Sequence, residues 1–187
     1  MESVDRRAMD KGGMLLDMTE KQLNGALRNN LAQIPYVQGI NNHMGSLLTR
    51  HPGHMYWLMQ ELQRNGNLYF VDSRTTKATV AYRMAREFGI PSSKRNIFLD
   101  NVSNPQEVRK QFRALLRSAR KNGTALALGH PYRSTLQVLQ EELPVLKQQG
   151  IKLVSVSELI RMQQESPTWQ AAASLSLSPK AVKSSKQ

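Results

Sequence analysis

The sequence predicts an α/β fold built on a parallel sheet with helical crossovers, and three observations carry that prediction. Short β-rich apolar runs alternate with longer amphipathic stretches along the chain, the order in which βαβ units are written. The runs are apolar throughout, as strands are when helices cover the sheet. Polar or ionisable residues follow four of the runs in succession, as NNHMGS, DSRTT, DN and GHPYRST. In parallel α/β folds the carboxyl ends of the strands share one side of the sheet, and ligands gather there. A barrel and an open doubly wound sheet both satisfy this pattern.

The strand-like runs are YVQGI (36–40), LYFVD (68–72), NIFLD (96–100), ALALG (125–129) and IKLVSV (151–156). The first helix is expected over MTEKQLNGALRNNLAQI, with Thr19 as N-cap and Leu23, Leu27 and Leu31 on one face. GHMYWLMQELQRNG sets Met55, Leu58, Met59 and Leu62 in helical register and closes on Gly66. TTKATVAYRMAREFG is expected to be helical from near Thr75 to Gly89. NPQEVRKQFRALLRSARKNG opens on Asn104 as N-cap with Pro105 at the first helical position, and ends at Gly123. RSTLQVLQEELPVLKQQG follows, with Pro144 as its kink or break. The methionines Met55, Met59 and Met84 read as core filler at helical spacing.

At 187 residues the chain has room for one domain with a sizeable core. With 40% hydrophobic and 21% charged residues its composition is that of a globular protein. Zero cysteines exclude disulfides and thiolate metal sites, so a metal would be held by His and carboxylates. No apolar run is long enough to cross a bilayer. The opening MESVDRRAMDKGG lacks the apolar centre of a signal peptide. The domain is set at 1–162, with the Ser/Ala/Lys-rich stretch 163–187 expected as a disordered tail. The net charge of +12 would suit an anionic partner. It is spread along the chain, however, and its densest run, RKQFRALLRSARK, has the spacing of a solvated helix face. No zinc-finger, RNP-like or homeodomain pattern accompanies it, so nucleic acid is not expected as a partner.

The chemistry, then, is sought at the strand ends. His43, between Asn42 and Met44, is a metal ligand or proton carrier, or else a hydrogen-bonded turn histidine, which is the commoner case for a single histidine. Asp72 holds a cation, orients a histidine or caps the helix that follows. Asp100 stands in a similar place, although Asn104 and Pro105 start its helix without it. His130, fixed before Pro131 at a strand end, suits general acid–base work. Arg74 holds an anionic group or oxyanion, or pairs with Asp72 or Asp100. His51 and His54 have metal-like spacing but lie beyond the strand end, and an exposed loop is expected there.

Taken together, GINNHMGSLLT, LYFVDSRTT, KRNIFLDN, ALALGHPYRSTLQVL and GIKLVSVSELI, in this order and spacing, resemble the divergent polysaccharide deacetylase family, distant relatives of NodB-type carbohydrate deacetylases. The resemblance runs from about Met14 to Ile160. It implies a parallel-strand (β/α) barrel of the glycoside hydrolase/deacetylase type, acting on a glycan with a divalent metal such as zinc, and a periplasmic or cell-envelope location. In that chemistry a metal activates water, a carboxylate takes its proton and a histidine protonates the leaving amine. Mapped onto this chain, the resemblance implies His130, Asp72 and Arg74 as the catalytic set. Asn41, Asn42 and Asp100 become substrate contacts, and His43 the metal ligand.

One departure weighs against an intact site. The family carries an Asp-Asp-(Leu/Ile)-Gly motif and an upstream His-Leu-Pro-Met, and this sequence contains neither. Met1 falls where the methionine of the latter would stand. The expectation is therefore a barrel incomplete at its N-terminus and a chain that lacks the full ligand set and is inactive alone. A non-catalytic glycan-binding or envelope-interaction domain is the alternative.

Overall fold

Helix α1, Glu20–Ala32, starts where its cap dictates. Thr19 is extended, its side chain accepts the Gln22 amide, and the Gln22 side chain accepts the Thr19 amide in return. This capping box satisfies two otherwise orphaned donors. The computed structural model describes residues 1–4 and 11–166. The chain divides into two compact units, Met1–Leu153 and Val154–Gln187.

In the first unit, α1 is followed by strand β1, Gly39–Asn41, a 3-10 turn at Leu48–Arg50, and helix α2, Pro52–Asn65. Then come β2, Tyr69–Asp72, α3, Ala81–Glu87, β3, Ser92–Lys94, and β4, Ile97–Phe98. Helix α4, Pro105–Asn122, strand β5, Ala127–Leu128, and helix α5, Arg133–Glu142, complete the alternation. Pro144 breaks the chain after α5 into two 3-10 turns, Leu143–Val145 and Lys147–Gln149. The second unit contributes helix α6, Val156–Glu165. No helix among the described residues is long and apolar enough to cross a membrane.

All the strand pairings are parallel. β1, β2 and β3 form one sheet in that order, and β4 pairs with β5 in a second. The described strands are thus two short sheets and not a closed barrel. Each sheet has its own core. Leu23, Met55, Leu58, Met59 and Phe70 are fully buried beside the first, and Met84 joins them, so the methionines fill space as expected. Val108, Phe112 and Leu116 of α4 pack with Leu99 and Val138 beside the second. These α4 residues recur every four positions, which leaves its basic groups outward. Arg109 there pairs with Glu141 and Glu142 at the end of α5.

Gly39 is required where β1 meets β2. It sits in register with Tyr69, and a Cβ at Gly39 would come within 2.3–2.5 Å of the Tyr69 ring. Gly39→Ala is expected to cost about 1–3 kcal/mol, the usual penalty for overpacking. It would appear as a lower urea midpoint with an unchanged slope, and an unaltered midpoint would show that the ring moves aside freely.

Four expectations are corrected. Residues 151–155 are not a strand: Ser155 accepts the Glu158 amide and caps α6 directly, and Leu153 is 70% exposed, with no neighbouring strand to pair it. Helix α3 begins at Ala81, well after Thr75, because its first amides are capped by Thr79 and by the Asp72 carboxylate. Strand β3 was not expected, since Ser92 and Ser93 are polar, yet both are almost fully buried. His51 and His54 are not on an exposed loop. His51 is the N-cap residue of α2, and His54 lies in its first turn with Nε2 2.8 Å from the Leu16 carbonyl. Of the expected tail, 167–187 lies outside the described residues, while α6 continues through Glu165.

Candidate functional site

The loops after β1 and β2 are bound to each other by side chains. Asn42 is 1% exposed. Its Oδ1 accepts the Ser73 amide at 2.8 Å and its Nδ2 donates to the Met44 carbonyl at 3.3 Å. Asn41 donates to Ser73 Oγ at 3.0 Å, and Thr75 Oγ1 donates to the Met44 carbonyl at 2.9 Å. The Asn42 amide is therefore consumed within the protein, whereas Asn41 stays exposed at the rim. Met44 and Arg74, one in each loop, have φ of 55° and 48°. Left-handed backbone at residues with a Cβ is costly and persists only where surrounding contacts hold it.

Asp72 supplies much of that hold. Its side chain is completely buried. Oδ1 accepts the Arg74 amide at 2.8 Å, and Oδ2 accepts Thr79 Oγ1 at 3.0 Å and the Tyr82 amide at 3.2 Å. The carboxylate thus caps α3 and fixes the Arg74 turn. Arg95, just past β3, completes the clamp by donating from Nε to the Ser73 carbonyl at 2.5 Å and from a terminal nitrogen to the Arg74 carbonyl at 2.7 Å. Burial, and then the neighbouring Arg74 guanidinium, push Arg95 below the ordinary arginine value, while Asp72 opposes the shift.

The second sheet brings Asp100 and His130 together. Asp100 Oδ2 accepts the His130 amide at 2.5 Å and Thr135 Oγ1 at 2.8 Å, and Oδ1 lies 3.1 Å from His130 Nδ1. A carboxylate has no hydrogen to give, so Nδ1 is the donor and Nε2 is the ring nitrogen left for chemistry. Gly129 makes the approach possible, for a Cβ there would meet Asp100 Oδ2 at 3.1 Å. Asp100 is 4% exposed and its oxygens are engaged, so it is a positioning group for His130 and not an open substrate contact.

The two sheets meet at His43 and His130, whose rings stand edge-on with centroids 6.1 Å apart. Phe98 and Tyr132 flank His130 at 5.5 and 5.1 Å, and Arg95 lies 4.9 Å over Phe98. A groove of about 450 Å³ runs from His43 along β1 and α1, past Ile40, Leu27 and Met14. Of the residues expected from the sequence, the structure brings His43, His130 and Asp100 together and places Asn41 and Arg74 on the adjoining rim. Asp72 and Asn42 lie beneath it. Phe98, Tyr132, Arg95 and Thr135 were not foreseen. The Asp100–His130 pairing had a readable signal, since consecutive strands of a βαβ unit are usually neighbours.

A resident metal does not fit these residues. A mononuclear zinc site takes at least three protein ligands. Among the described residues no group of three or more His, Cys, Asp or Glu is placed to hold one. Asp72 and Asp100 both spend their oxygens on internal donors, which leaves the two histidines.

Comparison with known proteins gives the family. The chain is 37% identical over 160 residues to the uncharacterized protein YibQ of Escherichia coli K12, covering 86% of this chain and 50% of YibQ. An uncharacterized protein of Haemophilus influenzae Rd is 38% identical over 167 residues, covering 89% of this chain and 59% of that one. The chain thus spans about half the length of the curated relatives it matches. The crystal structure of the uncharacterized protein ATU2773 from Agrobacterium tumefaciens C58 superposes with a TM-score of 0.77 at 19% identity, over 80% of this chain and 61% of that one, which is a likeness of fold. The family model described as divergent polysaccharide deacetylase matches residues 1–160. Matched over nearly all of its described length, with the Asp100–His130 pair and the knotted loops of β1 and β2 inside the match, the chain belongs to the divergent polysaccharide deacetylase family.

Proposed function

We propose that this carbohydrate deacetylase-like chain binds an acylated amino-sugar glycan at the strand-end rim and holds the proton donor for release of the sugar amine. The observation that carries the reading is the Asp100–His130 pair, with Nδ1 held by the buried carboxylate and the ring edge-on to that of the exposed His43. Asp100 orients the imidazole through Nδ1, and Nε2 is then the ring position from which a proton can be given to a departing amine. Tyr132 supplies an exposed flat face beside His130 on which a sugar ring can rest, and Asn41 stands exposed at the edge. The two parallel sheets fit as part of a (β/α) barrel.

Acyl hydrolysis with a divalent metal, and a place in the periplasm or cell envelope, are proposals for the whole protein. The described residues do not make the metal site. The spent oxygens of Asp72 and Asp100 favour a second reading, non-catalytic glycan binding, because neither of these strand-end carboxylates is left free to act as a base.

Calorimetric titration of the chain with N-acetylglucosamine oligomers, paired with an acetate assay and metal analysis, separates these readings. Binding is expected, weakened in both Tyr132→Ala and His130→Ala. Neither stoichiometric zinc nor acetate release is expected from the chain by itself. Absence of glycan binding would sink both readings. Tight zinc with acetate release would show that the described residues hold a complete catalytic set after all.

A further inference from the structure

The strand-end rim carries cations where β2 and β3 end. Arg74 stands just past β2, Lys94 ends β3 and Arg95 follows it. The register sets Lys94 opposite Asp72. Lys94 Nζ lies 5.0 Å from the Tyr82 ring centroid and the Arg86 guanidinium 6.0 Å from the same centroid. Among the described residues, no carboxylate lies within ion-pair distance of Arg74, Lys94 or Arg95. Asp72 is the acid beside them, and its oxygens are taken by the Arg74 and Tyr82 amides and Thr79.

The basic face of α4 gives the contrast. There Arg109 pairs with Glu141 and Glu142, and Lys110 with Glu107, as on an ordinary solvated helix. At the rim the cations instead crowd one another. Burial, then Arg74 and Arg86, lower the proton affinity of Lys94, with Asp72 opposing. Like charges gathered in a partly dehydrated spot repel, and a bound anion relieves that repulsion. The cluster is also joined to the proposed acid, because Arg95 covers Phe98 and Phe98 touches His130.

We propose that Arg74 and Lys94 form a subsite for an anionic substituent of the glycan, a carboxylate, sulfate or phosphate ester. The proposal rests on the carbohydrate reading above and adds the charge class of the substrate. A neutral sugar would meet His130 and Tyr132 alone. An anionic neighbour would also accept hydrogen bonds from the two cations, which are stronger than neutral ones and carry directional preference.

The test compares two N-acetylated oligosaccharides of equal length, one neutral and one with alternating uronic acids, by calorimetry at low salt. A sulfated and a phosphorylated oligomer distinguish the sources of charge. One charge-assisted contact corresponds to about tenfold in affinity, so the anionic oligomers are expected to bind about tenfold tighter than the neutral one. Lys94→Gln should erase most of that difference and leave the neutral oligomer unaffected, whereas Arg113→Gln on α4, with the same change in net charge, should leave both unaffected. Equal binding of neutral and anionic oligomers overturns the subsite while the carbohydrate reading stands. A preference lost equally in Arg113→Gln also overturns it, since bulk charge would then be the cause. No binding of any oligomer removes the carbohydrate reading itself, and the subsite with it.

Discussion

Asp72→Ala is expected to destabilise the chain by about 3–5 kcal/mol, because three part-buried donors would lose one buried acceptor at once. The Arg74 amide, the Tyr82 amide and Thr79 Oγ1 all point at this one carboxylate, which is 0% exposed. Water cannot replace it without opening the loop between β2 and α3. Two of these bonds have structural consequences already included in that figure. The Arg74 turn, at φ 48°, would lose the contact that holds it, and α3 would lose its carboxylate cap, a contribution of about 1 kcal/mol by itself. Chemical denaturation of the parent, Asp72→Ala and Asp72→Asn measures this. The asparagine keeps the shape and one acceptor, so it is expected to fall between the other two. A loss below about 1 kcal/mol for alanine would show that these hydrogen bonds are readily exchanged for water.

Asp100→Asn is expected to act on chemistry more than on stability. Oδ2 receives two donors, the His130 amide and Thr135 Oγ1, so the asparagine carbonyl takes that place. Its NH2 group then faces His130 Nδ1, 3.1 Å away in the parent. Two donors cannot share that line, and the ring must move its proton to Nε2. The imidazolium also loses its carboxylate. In a whole protein that turns over with His130 as the acid, the rate is expected to fall by on the order of 10²–10⁴-fold, the range of general acid catalysis. Imidazole nitrogen shifts read the tautomer directly by NMR, independently of any activity. Nδ1 protonated in the parent and bare in Asp100→Asn is the expected pair of spectra. An unchanged Nδ1 signal would refute the pairing.

How legible this was varied with the type of signal. The ends of α1, α2 and α4 were readable because caps are local: Thr19 with Gln22, and Asn104 before Pro105, fix the backbone within one turn. Strands β2, β4 and β5 were readable as apolar runs. Strand β3 was not, for Ser92 and Ser93 are buried by what packs around them and not by their own hydrophobicity. The run at 151–156 failed in the opposite sense. It has the composition of a strand, but a strand exists only with a partner, and the Ser155 cap claims the chain for a helix first.

The sequence by itself determined the alternation of strands and helices, the placing of polar groups at successive strand ends, and through their spacing the family. Each of these is local, or is a periodicity that the order of residues preserves. Only the tertiary structure decided what the polar groups do. Asp72 and Asp100 follow their strands in much the same way, yet one caps a helix and knots a loop, and the other orients a histidine. Asn41 and Asn42 are neighbours in the chain, and strand pleating buries one and exposes the other. Whether Asp100 is free for chemistry depends on donors that reach it from 30 residues or more away. Those distances are set by how the sheets pack, which the residue types do not state.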